Sequence, residues 1–190
     1  MQNLQKKYEI KIPNKISVIY CNKKKIITII GPLTKKSLKL KTKILISKKK
    51  KIIKITPFSF TTVSNNKKKK MKVIQNTTTV LLKQLILEAS TILYKKLKLI
   101  GIGYRVFNDE NFKKLLSFKL GYSHPIYFKI PNKLNFFCLK YTKLFIFGNS
   151  YQQITQIAAI IKAQKKPEPY KGKGILYENE KIILKEGKKV

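Results

Sequence analysis

Tryptophan is absent from this chain, arginine and histidine occur once each, cysteine twice, and acidic residues eight times in 190. Each scarcity excludes something. Of the carboxylates only Asp109 and Glu110 are adjacent, in an expected hairpin turn. The set is too thin to converge on the paired cations of a two-metal nuclease. His124, the single histidine, stands beside Pro125 and reads as a turn residue rather than a catalytic base. Cys21 and Cys138 match no metal-ligand spacing and read as two reduced thiols in strands. Gly101-Ile102-Gly103 lacks the third glycine and the following helix of a nucleotide loop. No enzyme, metal or cofactor is therefore expected. No apolar run approaches the roughly 18 residues that cross a bilayer, so no membrane span is expected either.

What the chain has in excess is positive charge. Lys and Arg together number 43 and the formal net charge is +35. A compact protein so charged repels itself unless a polyanion neutralises it, and nucleic acid is the default partner. All the basic residues but Arg105 are lysine. Lysine is a flexible point charge, whereas arginine offers a planar fork that reads guanine or phosphate bidentately. The chain is thus suited to lying against phosphates rather than reading base edges. Hydrophobic residues make up 43%, with ten Phe and ten Tyr, which sets it apart from disordered basic tails.

Two stretches repeat one order of elements. Alternation runs through Tyr8 to Ile12, Ile16 to Tyr20, Ile26 to Ile30, Leu38 to Leu40, Ile44 to Ile46 and Ile52 to Ile55, with Gly31-Pro32 as a break. A helix follows on Leu81, Leu82, Leu85, Ile86, Ala89, Ile92 and Leu93, with Lys83, Gln84, Glu88 and Thr91 opposite and Asn76 or Thr77 as N-cap. The polar stretch 57–75 between strand and helix is expected to be a mobile loop. Strands are expected again at 97–107, 114–120, 125–130, 134–140 and 144–147. A second helix starts at Ser150-Tyr151-Gln152-Gln153, a capping box, with Ile154, Ile157, Ala158 and Ile161 as its stripe. The fold class is α+β: two tandem duplicated modules, each a mainly antiparallel sheet packed on one helix. The expected division is 1–93, 94–176 and a basic tail 177–190. Lys23 to Lys25 and Lys48 to Lys51 fall at hairpin tips as edge-blunting charge or as RNA contacts. Lys67 to Lys70 stays open between a mobile loop and an RNA-clasping arm.

The second helix runs into Lys165-Lys166-Pro167-Glu168-Pro169-Tyr170-Lys171-Gly172-Lys173-Gly174-Ile175. The prolines stop the helix and hold the chain extended. Lys171 and Lys173 alternate with glycines whose bare backbone could approach a phosphate, and Tyr170 could stack on a base. On physical grounds alone this is either an ordinary exposed loop or a binding element. Pro167 to Ile175, however, resembles the signature of the ribosomal protein L six family of the large subunit. Leu99-Ile100-Gly101-Ile102-Gly103-Tyr104-Arg105 is similar to that family's "VGVGYRA" strand, and Leu120-Gly121-Tyr122-Ser123-His124-Pro125 to its "VGYSHP" turn. Thr77 to Leu82 resembles the start of its first helix and Gly31-Pro32 its "KGP" turn. The likeness covers about Tyr8 to Lys188.

The resemblance implies a structural constituent of the large ribosomal subunit. Its second module would carry most of the contact with large-subunit ribosomal RNA (rRNA), by the stalk base and sarcin–ricin loop. Neighbouring ribosomal proteins and transiently docking elongation factors are the implied partners. The rRNA-binding residues it implies are Lys162, Lys165, Lys166, Pro167, Glu168, Tyr170, Lys171, Gly172, Lys173 and Gly174, with Tyr122 and His124. The chain departs from the family where arginines are usual, having Lys162, Gln164, Lys165, Lys166 and Leu176. The alternative is a free-standing organellar RNA chaperone. Lys, Ile, Asn, Phe and Tyr are residues of A/T-rich codons, and Met1 to Asn14 shows neither a secretory core nor an Arg-rich transit pattern. A mitochondrial, organelle-encoded protein is expected, with a plastid or bacterial cytoplasm as alternatives.

Overall fold

A computed structural model describes residues 8–47, 49–59, 68–108 and 114–187. The chain divides into two compact units, one ending at Thr91 and one beginning at Ile92. Both are antiparallel sheets backed by one helix, the α+β duplication expected from the repeated order.

The first unit contains β1 (Glu9–Lys11), β2 (Ser17–Cys21), β3 (Ile26–Ile30), β4 (Lys35–Lys39), β5 (Thr42–Ser47), β6 (Ile52–Ser59) and α1 (Lys68–Ser90). Its strands form two antiparallel sheets, β1-β6-β5 and β2-β3-β4. Alternate residues Ile27, Ile29, Ile53 and Ile55 point inward and meet Leu82, Ile86 and Ala89 of α1. Lys23 to Lys25 and Lys49 to Lys51 occupy turns, as expected, while Lys48 lies outside the described residues.

α1 begins far earlier than the apolar stripe implies. Only 60–67 of the expected loop lie outside the described residues; Pro57 to Ser59 finish β6 and Lys68 to Gln75 are helical. Asn76 and Thr77 are therefore mid-helix, not caps, and Thr77 bonds back to the Ile74 carbonyl at 2.9 Å. The cause is that this stretch shows no apolar stripe: Lys69, Lys70, Lys72 and Val73 are exposed, and Gln75, which it buries, is polar. Gln75 is 6% exposed and donates from Nε2 to the Ile55 carbonyl at 2.9 Å. Thr78 and Thr79 are buried too, and Thr78 meets Thr42. Lys69 and Lys70 are exposed in the first turn of a helix rather than on a loop, and Lys67 is not described. Glu88, expected on the solvent face, is 4% exposed and paired with Lys36 of β4. Ile92 and Leu93 fall beyond the helix, Leu93 opening the next strand.

The second unit contains β7 (Leu93–Ile100), β8 (Arg105–Asn108), β9 (Leu115–Lys119), β10 (Ile126–Lys129), β11 (Leu134–Lys140), β12 (Lys143–Gly148), α2 (Tyr151–Gln164) and β13 (Gly174–Tyr177). β10-β9-β8 is one antiparallel sheet and β11-β12-β7-β13 another. The single strand expected at 97–107 is two, because Gly101 (φ 153°) and Gly103 (φ 73°) turn the chain out of β7 into a new sheet. Leu97, Leu99, Leu144, Ile146 and Ile175 pack with Ile154, Ala158 and Ile161 of α2. Ser150 is the N-cap of α2, with extended backbone, but its side chain makes no cap bond, so the expected box is not formed. Asp109 and Glu110 lie outside the described residues. Cys21 in β2 and Cys138 in β11 are free thiols, and burial pushes the Cys138 thiol up, away from reactive thiolate.

Gln75→Ala is expected to cost about 1–3 kcal/mol, since it leaves a buried carbonyl unpaired. Asn76→Ala is expected to stay within about 0.5 kcal/mol, being an exposed mid-helix change. Urea unfolding of the full chain, followed by far-ultraviolet circular dichroism, measures both. A loss of about 1 kcal/mol or more for Asn76→Ala is what a helix beginning there would give.

Candidate nucleic-acid interface

The lysine-rich loop leaves α2 at Lys165, whose backbone is extended (φ −146°, ψ 91°), and returns as β13 on the edge of β7. Its prolines forbid further helix, and backbone bonds close the loop on itself. Gly172 N–H donates to the Glu168 carbonyl, Glu168 N–H to the Lys173 carbonyl, and Ile175 N–H to the Lys165 carbonyl, each at 2.9 Å. The loop is thus a hydrogen-bonded protrusion whose tip carries Lys166, Glu168, Pro169, Tyr170 and Lys171 in solvent. Lys165, Pro167 and Lys173 are half-buried at its base.

The glycines have a packing role within the loop. Gly172 and Gly174 are both buried, and their bare backbone packs against the protein's own chain. A Cβ on Gly174 would lie 2.6 Å from Pro167 Cα, and the residue sits at φ 152°. Gly172, at φ 68°, packs beneath Leu184. Glycine is required at 174 because the two arms of the loop cross there at backbone contact, and at 172 because the backbone is left-handed.

A second segment joins the loop. The turn after β9 carries Tyr122, whose hydroxyl donates to the Gln164 carbonyl at 3.0 Å, satisfying an open carbonyl at the end of α2. Lys165 Nζ sits 4.2 Å from the Tyr122 ring centroid. Tyr122 and Lys165, 43 positions apart in sequence, are therefore in direct contact. His124 is exposed in the same turn, with Nδ1 3.4 Å from Ser123 Oγ.

Lys162 does not join them. It pairs with Glu180 and lies 4.8 Å from the Tyr177 ring centroid, so its charge is engaged by the protein's own groups at a partly solvated position. That pair belongs to the tail expected at 177–190, whose contacts with α2 and the loop the motifs did not reveal. Glu180 also accepts from the Tyr177 N–H at 3.1 Å, and the Lys185 N–H donates to the Pro169 carbonyl at 2.9 Å. The hydrogen bond from Lys162 holds the Glu180 carboxyl below its ordinary range, with the Tyr177 amide and the Lys162 charge acting the same way against burial. The scarcity of acid was the available signal: Glu178 and Glu180 stand out in an otherwise basic tail. Among the described residues no three His, Cys, Asp or Glu side chains gather as a metal site would require, and no helix is long and apolar enough to cross a membrane.

The sequence profile of the family described as Ribosomal protein L6 matches residues 100–178, which contain both the turn and the loop. The Large ribosomal subunit protein uL6 of Mycoplasma capricolum is 44% identical over 108 residues, covering 57% of this chain and 58% of that one. That of Dechloromonas aromatica is 40% identical over 108 residues, 57% of this chain and 60% of its own length. For these two, then, the match spans less than two thirds of the relative. The protein of the same name from Mycoplasmoides gallisepticum is 37% identical over 182 residues, covering 94% of this chain and 92% of the relative. On that near-complete correspondence, the chain belongs to the ribosomal protein L6 family.

Proposed function

We propose that the chain is a structural component of the large ribosomal subunit and binds its rRNA through the loop 165–174 and the turn 121–124. The observation that carries this is the near full-length match to proteins named for the large subunit, combined with a basic protrusion held rigid by its own backbone. The family is structural and non-enzymatic. Lys165, Lys166, Lys171 and Lys173 share the loop with one carboxylate, Glu168, which leaves a local excess of positive charge for phosphates. Tyr170, 54% exposed at the tip, offers a ring to an unpaired base or a ribose. In this reading the loop fixes neighbouring RNA helices as a clamp. It lies by the stalk base and sarcin–ricin loop and so supports factor docking. The ribosome is mitochondrial, a reading supported by the A/T-coded composition; the bacterial relatives favour the bacterial alternative.

Sedimentation of a gentle-salt extract tests the assignment: the protein travels with the large subunit, whereas an accumulation in light fractions overturns it in favour of a free RNA chaperone. On the isolated protein, Lys171→Ala with Lys173→Ala is expected to make the log–log salt slope of rRNA binding shallower by about two. Lys162→Ala is expected to leave that slope unchanged while loosening the tail. Gly174→Val is expected to lower thermal stability as well as binding, because its side chain meets the Pro167 backbone.

The tail supplies a pH dependence. Because the folded Glu180 carboxyl is held below its ordinary value of about 4.3, its stabilisation is complete above that value and is lost as pH falls through the folded one. Hydrogen exchange at the Lys185 amide, corrected for its intrinsic rate, is expected to quicken over that acid range. Glu180→Gln is expected to show the faster exchange already at neutral pH.

A further inference from the structure

The four-stranded sheet β11-β12-β7-β13 has two faces, and α2 covers only one. Leu97, Leu144 and Ile146 point to α2 and are buried. Strand alternation sends Tyr94, Lys96 and Lys98 of β7, Lys143, Phe145 and Phe147 of β12, and Phe137 of β11 to the other side. Tyr94 is 58% exposed and Phe137 55%. The register sets Phe137 opposite Phe145 and Phe145 opposite Lys96, one row across three strands. A second row runs from Asn135 through Phe147 to Tyr94. The Tyr94 and Phe145 ring centroids are 6.5 Å apart.

Lysine surrounds these rings. Lys96 Nζ lies 5.5 Å from the Tyr94 centroid and 4.9 Å from that of Phe145, held there by Glu178 at 3.2 Å. Lys98 donates to the Glu178 carbonyl, and Lys140 and Lys143 are exposed at the far end of the hairpin. At the β13 edge the face closes over Leu176, which is 3% exposed; at the β11–β12 side it is open among the described residues.

We propose that this open face is a second RNA site, a stacking platform for an unpaired, single-stranded segment. Every base has a π face, so rings on a pleated sheet hold bases without regard to sequence, and flanking ammonium groups meet the phosphates between them. Charge decides the class of partner: among the described residues the rings sit with four lysines and a single carboxylate, Glu178, already bound to Lys96. A polyanion that also carries flat apolar groups fits that pattern. The site is separate from the loop 165–174 and does not depend on the loop's role.

The test compares two single strands of about twelve nucleotides, a uridine oligomer and an abasic oligomer of equal charge, binding to the full-length protein. The base-bearing strand is expected to bind tighter by on the order of a hundredfold, about tenfold for each exposed ring. Tyr94→Ala with Phe137→Ala removes that preference and leaves the salt slope unchanged. Lys171→Ala with Lys173→Ala leaves the preference intact; a change in overall affinity there speaks only to the loop. Both ring positions are solvent-exposed, so matching thermal melts of wild type and variant establish that the fold is retained. Equal binding of the two oligomers, or a preference that survives loss of both rings, overturns the proposal. So does a photo-reactive side chain at 137 that cross-links to a protein rather than to RNA in purified particles.

Discussion

Ile154, Ala158 and Ile161 of α2 pack into Leu97, Leu144, Ile146 and Ile175, and the rest of the second unit hangs on that contact. Complete burial of an Ile or Leu side chain contributes about 1.5–3 kcal/mol, so a handful of such residues outweighs any surface charge term. The contact fixes the position of α2 on its sheet, and the prolines beyond it stop the helix. The end of α2 fixes where Lys165 turns out, and Ile175 fixes where the chain returns. The loop between them has no freedom in its two anchor points. Three backbone hydrogen bonds then remove most of what freedom remains.

A chain with so few carboxylates must place each one with effect. Glu88 joins α1 to β4 through Lys36, Glu9 joins β1 to β6 through Lys54, and Glu178 and Glu180 join the tail to β7 and α2 through Lys96 and Lys162. Three of these pairs are partly solvated and contribute little each. Glu88 is buried, and there the loss of its partner would leave a charge out of water. These four carboxylates therefore act where elements meet, and the loop tip keeps only Glu168 against its lysines. The positive excess is concentrated by subtraction as much as by addition.

What was legible in the sequence follows from which physics writes a local pattern. Alternation in Ile27, Ile29, Ile53 and Ile55, and the stripe on α2, report burial of apolar side chains directly, so sheets, helices and duplication were readable. Gln75 and Thr78 bury polar atoms through partners on β6 and β5, and Thr79 through the Gln75 carbonyl of its own helix, and a polar residue that is buried looks like one that is solvated. That is why a third of α1 read as loop. The loop motif was visible, but the role of its glycines was not. Whether bare backbone faces a phosphate or a proline depends on Pro167 and Leu184 in the folded protein. The tail contact between Lys185 and Pro169 leaves no sequence pattern at all, being a backbone bond.

The near absence of arginine gives this rigidity its meaning. An arginine fork carries its own geometry to a phosphate, whereas lysine brings a charge on a flexible stem and no preferred direction. If lysines alone are to mark a fixed position on an RNA surface, the precision must come from the backbone that bears them. The loop 165–174 supplies it, through prolines, buried glycines, three internal hydrogen bonds and a tail clamped by Glu180. Tyr122 adds the remaining constraint by holding the ammonium of Lys165 against its ring. In the proposed rRNA contact, main-chain geometry thus takes the place of the side-chain geometry that arginine would bring.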